Sequence, residues 1–292
     1  METTHFLSPK QVALAIGVSE SSLKRWCDKG VIPVSKTVGG HRKLSKSDVV
    51  SFVRKTGQQL SRPELLGLPD GESSKNTDLN NLVNPWVESV IQGDQEAASQ
   101  LIVGPFITGQ PLCQLFDRVI IRGLQEIRKL RKQGQIEDYQ ESLAIEVCLA
   151  LLRDLQTLIP QPPANAMTSV GGTATGDNHP LTARLTEILF QSQGWKPTHL
   201  GCGLPFDTLS RAAERYRPNL FWISISASSC LGDSCGGLIH FHRNLPAQTG
   251  LVVSGEAISQ QVKNLIPQVV FCENTRQLAA FLKTITIVTT NS

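Results

Sequence analysis

Residues 7–53 read LSPKQVALAIGVSESSLKRWCDKGVIPVSKTVGGHRKLSKSDVVSFV, and their punctuation sets the architecture of the N-terminus. Ser8-Pro9 is a helix start: a hydroxyl for the orphan N–H groups, then a proline whose fixed φ suits a first turn. Val12, Ala13 and Ile16 recur on one helical face, and Gly17 stops the run. Ser19 caps a second helix, anchored by Leu23 and Trp26 and ended by Gly30. Val31, Ile32 and Pro33 lead into an extended piece. Gly39-Gly40 supplies a tight hairpin turn, and residues 42–44 return from it. Ser45 or Ser47 starts a third helix bearing Val49, Val50, Phe52 and Val53. Two short helices meeting at Gly17-Val18-Ser19, followed by a hairpin, spell a winged helix-turn-helix.

Charge is concentrated in this head. Residues 1–60 hold ten Lys or Arg against four Asp or Glu, and the other 232 hold 18 against 21. A positive module on a slightly acidic body points to a polyanion met by the head alone. The second helix, residues 20–29, is the expected major-groove element, with Ser21, Ser22, Lys24 and Arg25 near its N-terminal half. His41, Arg42 and Lys43 beside two glycines would set cations against phosphate or into the minor groove. Trp26 reads as core with Leu23. The plainer alternative makes residues 41–43 a solvated turn on an ordinary small fold.

The same stretch resembles the MerR-type winged helix-turn-helix, through its LxRW-like second helix and GGHRK wing. The resemblance implies major-groove contact by the second helix and phosphate contact by the wing. By position it assigns DNA binding to Ser21, Lys24, Arg25, His41, Arg42 and Lys43. It also implies a double-stranded operator, self-association as a dimer or tetramer, and contact with RNA polymerase.

The chain has 292 residues, room for two or three domains, and 40% of them are hydrophobic. No apolar run reaches the roughly 18 residues of a membrane span. METTHFLSPK lacks a secretory pattern, so the expected location is cytoplasmic. Cysteines 27, 113, 148, 202, 230, 235 and 272 form no CxxC pair, which argues against a disulfide framework or a structural zinc site. After the head (1–57), residues 58–80 are rich in Pro, Gly and polar side chains and read as a flexible linker. Residues 81–160 carry helical periodicity in LCQLFDRVIIRGLQEIRKL and YQESLAIEVCLALLRDLQTLI. Breaks at Gly104-Pro105, residues 109–111 and Gly134 divide them into a four-helix bundle. From 165 to 292 strand-like pieces (MTSVGG, PTHLG, LFWISIS, LVVSG) alternate with helices at 181–193, 206–217, GLIHFHRNL and 277–283. That rhythm predicts a doubly wound, Rossmann-like α/β domain. The fold class is therefore multidomain, α and α/β.

Within GDNHPLTARLTEILFQSQGWKPTHLGCGLP, residues 176–205, Asp177 stands two residues before His179. A carboxylate beside an imidazole can fix its tautomer and improve it as a metal ligand. One His and one Asp are too few for bare zinc but could serve a metal already held by a macrocycle. An ordinary loop pair is the alternative. The stretch resembles the cobalamin-binding domain of methionine synthases, mutases and light-sensing regulators: Gly176, Asp177, His179, Gly194-Trp195, Leu200-Gly201 and Pro205 follow the family pattern over about 165–285. The resemblance implies His179 as lower cobalt ligand, supported by Asp177, with Ser224, Ser226 and Gly255 lining the nucleotide tail.

Two departures fall where that tail would pass close to backbone. Thr182 replaces a glycine, and Ser254-Gly255 replaces a glycine pair. The bundle resembles the helical domain of light-dependent cobalamin regulators, whose Trp and Glu-His shield and bind the upper cobalt face. Here Arg131 and Glu141-Ser142 stand at those positions: the Glu is kept, the Trp and His are not. Adenosylcobalamin photochemistry is therefore not expected. Arg118, Arg122, Arg128, Lys129, Arg131 and Lys132 crowd the same region, either as a solvated face or as an interface or anion site.

The expected function is a sequence-specific, oligomeric transcriptional regulator, a repressor in the simplest form, whose C-terminal module binds cobalamin. The alternative is a cofactor-independent regulator that uses the fold for assembly or another ligand. A corrinoid-dependent enzyme component would need substrate machinery and would leave the head idle, so no enzyme is expected.

Overall fold

The computed structural model describes residues 6–36, 39–69, 77–225, 235–255 and 260–290. The chain divides into two units, Met1–Pro160 and Gln161–Ser292. The first opens with β1 (Phe6–Leu7) and α1 (Pro9–Ile16). Ser8 and Gln11 cap α1 reciprocally: the Gln11 N–H donates to Ser8 Oγ at 3.2 Å and the Ser8 N–H to Gln11 Oε1 at 3.0 Å. Gly17 closes α1 with φ 77°, and Ser19 caps α2 (Glu20–Asp28) by accepting from the Ser22 N–H at 3.1 Å. β2 (Ser35–Lys36) and β3 (Arg42–Ser45) form the hairpin, and β1 pairs with the other edge of β3 in the order β1-β3-β2. Ser45 then caps α3 (Lys46–Thr56). Val12, Ile16, Leu23, Ile32, Leu44, Val49, Val50 and Val53 form the fully buried core. Trp26 packs on Phe52 with ring centroids 5.1 Å apart, as the apolar stripe required. β1 was not foreseen, because two residues carry no periodicity.

The sequence predicts a flexible linker over 58–80, and its first part is packed instead. The N–H groups of Ser61 and Arg62 both donate to the Ala15 carbonyl, at 2.8 and 3.1 Å. A 3-10 turn (Pro63–Leu66) follows, Leu66 and Leu68 are buried, and Lys46 Nζ donates to the Gly67 carbonyl at 3.2 Å. Two leucines in a proline-rich run supply the apolar area that holds it. Residues 70–76 lie outside the described residues.

The bundle comprises α4 (Val83–Gln92), α5 (Gln95–Ile107), α6 (Leu112–Leu115) continuing through a π-helical turn (Phe116–Ile121) into α7 (Arg122–Lys132), and α8 (Asp138–Thr157). Breaks occur at Gly109 (φ 113°) and Gly134 (φ 68°), as expected. The predicted break at Gly104-Pro105 does not occur: Pro105 lies inside α5. So near the C-terminal end its ring removes one hydrogen bond without ending the helix. Gly123 lets α7 approach α4 closely, since a Cβ there would lie 2.6 Å from the Trp86 ring. The head is tied to this bundle. The Arg54 guanidinium, at the end of α3, lies 3.9 Å from the Phe106 ring centroid and donates twice to the Gln110 carbonyl, at 3.2 and 3.3 Å. Burial pulls its pKa down to about 10, so it stays charged at neutral pH.

The second unit is a five-stranded parallel sheet in the order β5-β4-β6-β7-β8: β4 (Thr168–Thr173), β5 (Lys196–His199), β6 (Leu220–Ser224), β7 (Gly250–Ser254) and β8 (Val270–Cys272). This is a doubly wound order whose switch point lies between β4 and β6. α9 (Pro180–Ser192) and α13 (Thr275–Thr290) pack together on one face. On the other, α10 (Phe206–Tyr216) and α11 (Cys235–Arg243) cover Val170, Phe221, Ile223, Leu251 and Val253. α12 (Gln260–Leu265) and β8 were not foreseen, being too short to show a period.

Gly171 in central β4 is a packing requirement. A Cβ there would lie 1.9 Å from the Trp222 carbonyl oxygen and 2.3 Å from its indole. Gly171→Ala is expected to destabilise the α/β domain by about 3 kcal/mol, because backbone cannot give way as a flexible side chain can. Thermal unfolding checks this; an unchanged melting temperature contradicts it.

Candidate functional site

Two places carry the sequence-assigned residues. On the head, Ser21, Lys24 and Arg25 are exposed along α2, and His41 is exposed at the hairpin. Lys24 pairs with Glu20 at 2.8 Å, one helical turn back, which pulls the Glu20 pKa below the usual carboxylate range. On β3 side chains alternate. Arg42 shares a face with buried Leu44, and Lys43 takes the opposite face. Arg42 therefore points toward α2, where it bonds Asp28 at 2.6 Å. Arg42 acts as a strut that fastens the hairpin to the C-terminal end of α2, and His41 and Lys43 flank it. Sequence reasoning grouped residues 41–43 as equivalent cations and missed Asp28. Strand alternation against Leu44 was the available signal.

The second place is the C-terminal edge of the parallel sheet. The loop after β4 is folded on itself: Thr173 Oγ1 donates to the Asp177 carbonyl, and the Gly203 N–H donates to Thr173 Oγ1 at 2.9 Å and to the Asp177 carbonyl at 3.0 Å. Asp177 is buried, and its carboxylate accepts the backbone N–H of His179 at 3.1 Å. It thus orders the entry to α9 through the His179 main chain. His179 is exposed at the N-cap of α9.

Beneath this edge, three buried hydroxyls converge. Thr186 Oγ1 on α9 lies 3.4 Å from Ser224 Oγ at the end of β6 and 3.4 Å from Ser254 Oγ at the end of β7, and the two serines are 3.5 Å apart. Next on the same face of β6, Trp222 is fully buried. It stacks on Phe190 of α9 (6.3 Å, 30°) and on His199 of β5 (5.8 Å, 9°). Gly255 has φ 141°, and a Cβ there would lie 2.0 Å from the Ile225 carbonyl oxygen, so glycine is required. Ser226 lies outside the described residues. In the bundle, Glu141 is bonded by Arg131 at 2.9 Å, and Arg131 also reaches Asp138 at 3.1 Å. Ser142 Oγ donates to the Asp138 carbonyl at 3.1 Å. The basic cluster is largely paired: Arg118 with Asp78, Arg122 with Asn80, and Lys129 with Glu126. Thr186, Trp222 and His199 were missed as site residues; Trp222 shares a strand face with Ser224 by its even spacing, which was the usable signal.

Residues 6–57 match the family model described as a helix-turn-helix domain. A search of the curated proteins finds no match to the sequence. Among solved structures, the Methanosarcina barkeri monomethylamine corrinoid protein aligns with TM-score 0.56 and 14% identity over 71% of this chain and 100% of its own. A novel cobalamin-binding protein from Desulfitobacterium hafniense DCB-2 aligns at TM-score 0.36 and 15% identity, over 71% of this chain and 98% of its own. The methanol:cobalamin methyltransferase complex from Methanosarcina barkeri aligns at 0.38 and 15%, over 73% and 81%. At these identities the likeness of the first is one of fold.

Two outcomes follow. Asp28→Ala should release the strut, so that hairpin amides exchange faster with deuterium while the rest of the head is unchanged; unaltered exchange contradicts the strut. Burial, with a smaller push from Arg184, lowers the His199 pKa to about 4, and its Nε2 has no partner among the described residues. The unfolded chain, near 6.5, binds a proton that the folded chain refuses. This contribution to stability is therefore complete above pH 6.5 and is lost as pH falls toward 4. Acid titration of the melting temperature should show that decline, and His199→Gln should flatten it; equal slopes contradict it. Residues 6–57 are a helix-turn-helix domain, joined to a helical bundle and a parallel α/β domain of the fold seen in a corrinoid protein.

Proposed function

We propose that the chain is a sequence-specific DNA-binding transcriptional regulator of MerR type. The observation that carries this reading is the fastening of a cationic hairpin to an exposed, polar α2 through Arg42 and Asp28. A helix and a hairpin held in fixed relation can meet the major groove and the adjoining backbone together. Ser21, Lys24 and Arg25 supply the helix face, and His41 and Lys43 the wing, with Arg42 positioning it. A head of about 50 residues offers one small recognition surface. Affinity at physiological salt then calls for two heads on two half-sites. The bundle and α/β domain supply self-association in this reading.

Arg25→Ala should weaken operator binding by about 1–3 kcal/mol and relax sequence preference if it reads a base edge. Lys43→Ala should weaken all sequences alike and reduce the slope of log affinity against log salt by about 1 per head. Gel shifts at several salt concentrations on the full chain test both. Unchanged affinity and slope in both variants would remove the DNA-binding assignment.

A further inference from the structure

We propose that the α/β domain is closed to cobalamin because its own side chains fill the place a nucleotide tail would take. The resemblance puts that tail beside Thr182, Ser224 and Ser254-Gly255. In this chain Ser224 and Ser254 pack against Thr186, one turn beyond the half-buried Thr182. Thr182 and Thr186 are consecutive turns of α9, linked by the Thr186 hydroxyl donating to the Thr182 carbonyl at 3.0 Å. Thr186 reaches both Ser224 and Ser254 at 3.4 Å. A planar base inserted between helix and sheet needs ordinary contact on both faces, so its flanking heavy atoms stand roughly 7 Å apart. The observed separation is half of that, and all three residues are buried.

Opening the layer by a small shift of α9 is resisted from below. Trp222 occupies the next position on the same face of β6 and is 0% exposed. Its indole lies over Gly171, between Phe190 of α9 and His199 of β5. Gly171 and Trp222 are a matched small and large pair: the missing Cβ on β4 is the space the indole fills. Trp195, fully buried, stands edge-on to Phe190 at 5.7 Å and donates from Nε1 to Thr286 Oγ1 of α13 at 3.2 Å. α9 is thus held to the sheet by Trp222 and to α13 by Trp195. Admitting a tail would require expelling an indole and breaking that stack, and the exposed His179 offers a single ligand against this cost.

In the bundle, the positions that the resemblance assigns to an upper cobalt face hold a partly exposed ion pair, Arg131 with Glu141 at 2.9 Å. Closure of the α/β domain does not depend on DNA binding by the head.

The full-length wild-type chain is incubated with excess aquocobalamin, methylcobalamin and adenosylcobalamin and passed through a desalting column. Colourless protein with each form is the expected result. Retention of one cobalamin per chain overturns the proposal. The plug is tested separately with Trp222→Ala. It should lower the melting temperature of the α/β domain by roughly 10 °C or more, and added indole should recover part of that loss while leaving wild type unchanged. A folded Trp222→Ala protein that indole does not stabilise overturns the plug. If the variant fails to fold, the wild-type desalting result decides.

Discussion

Only Gly17, Val18 and Ser19 separate α1 from α2, and the direction of Lys24 and Arg25 follows from that turn. Gly17 can take φ 77° because it has no Cβ, and a Cβ there would also meet Ser61 Oγ at 2.6 Å. Ser19 then starts α2 at once by capping the Ser22 N–H. Leu23 and Cys27, one turn apart, are buried, which turns Ser21, Lys24 and Arg25 outward. The hairpin is set against the far end of the same helix by the Arg42–Asp28 bond. One turn and one ion pair therefore hold two groups of polar side chains in register with each other. The packed segment after α3 adds to this, since Ser61 and Arg62 bond the last turn of α1.

The C-terminal unit shows what a shared fold does and does not carry. Its parallel, doubly wound sheet is the one that the alternation of strands and helices in the sequence predicts. Beneath the sheet edge the Thr186, Ser224 and Ser254 hydroxyls lie within 3.5 Å of one another. Backbone geometry is set by hydrogen-bonded strands and by glycines such as Gly255, whose neighbours forbid any side chain. The space between strands and helix is set by a few large residues, as where the Trp222 indole packs over Gly171.

The parts of the fold that were legible in the sequence were those with caps and long periods. Ser8, Ser19 and Ser45 each mark a helix start that the structure shares, and the buried run at 220–225 announced a central parallel strand. The break assigned to Pro105 failed because a proline near a helix end costs one hydrogen bond, and buried neighbours can outweigh that. The linker reading failed at Leu66 and Leu68, where two apolar side chains mattered more than the surrounding prolines and glycines. β8 and α12 are too short to have a period. For the candidate site, exposed α2 residues were readable from helical spacing. Arg42–Asp28 and Thr186–Ser224–Ser254 were not, because each joins residues at least 14 positions apart.

The most direct measurement is selection of bound duplexes by the full chain from a pool of random sequence, followed by sequencing. A DNA-reading head on a self-associating body should enrich one short half-site, repeated at a spacing near a whole helical turn. A selected pool with no enriched sequence, at salt low enough for the protein to retain any duplex at all, would contradict it.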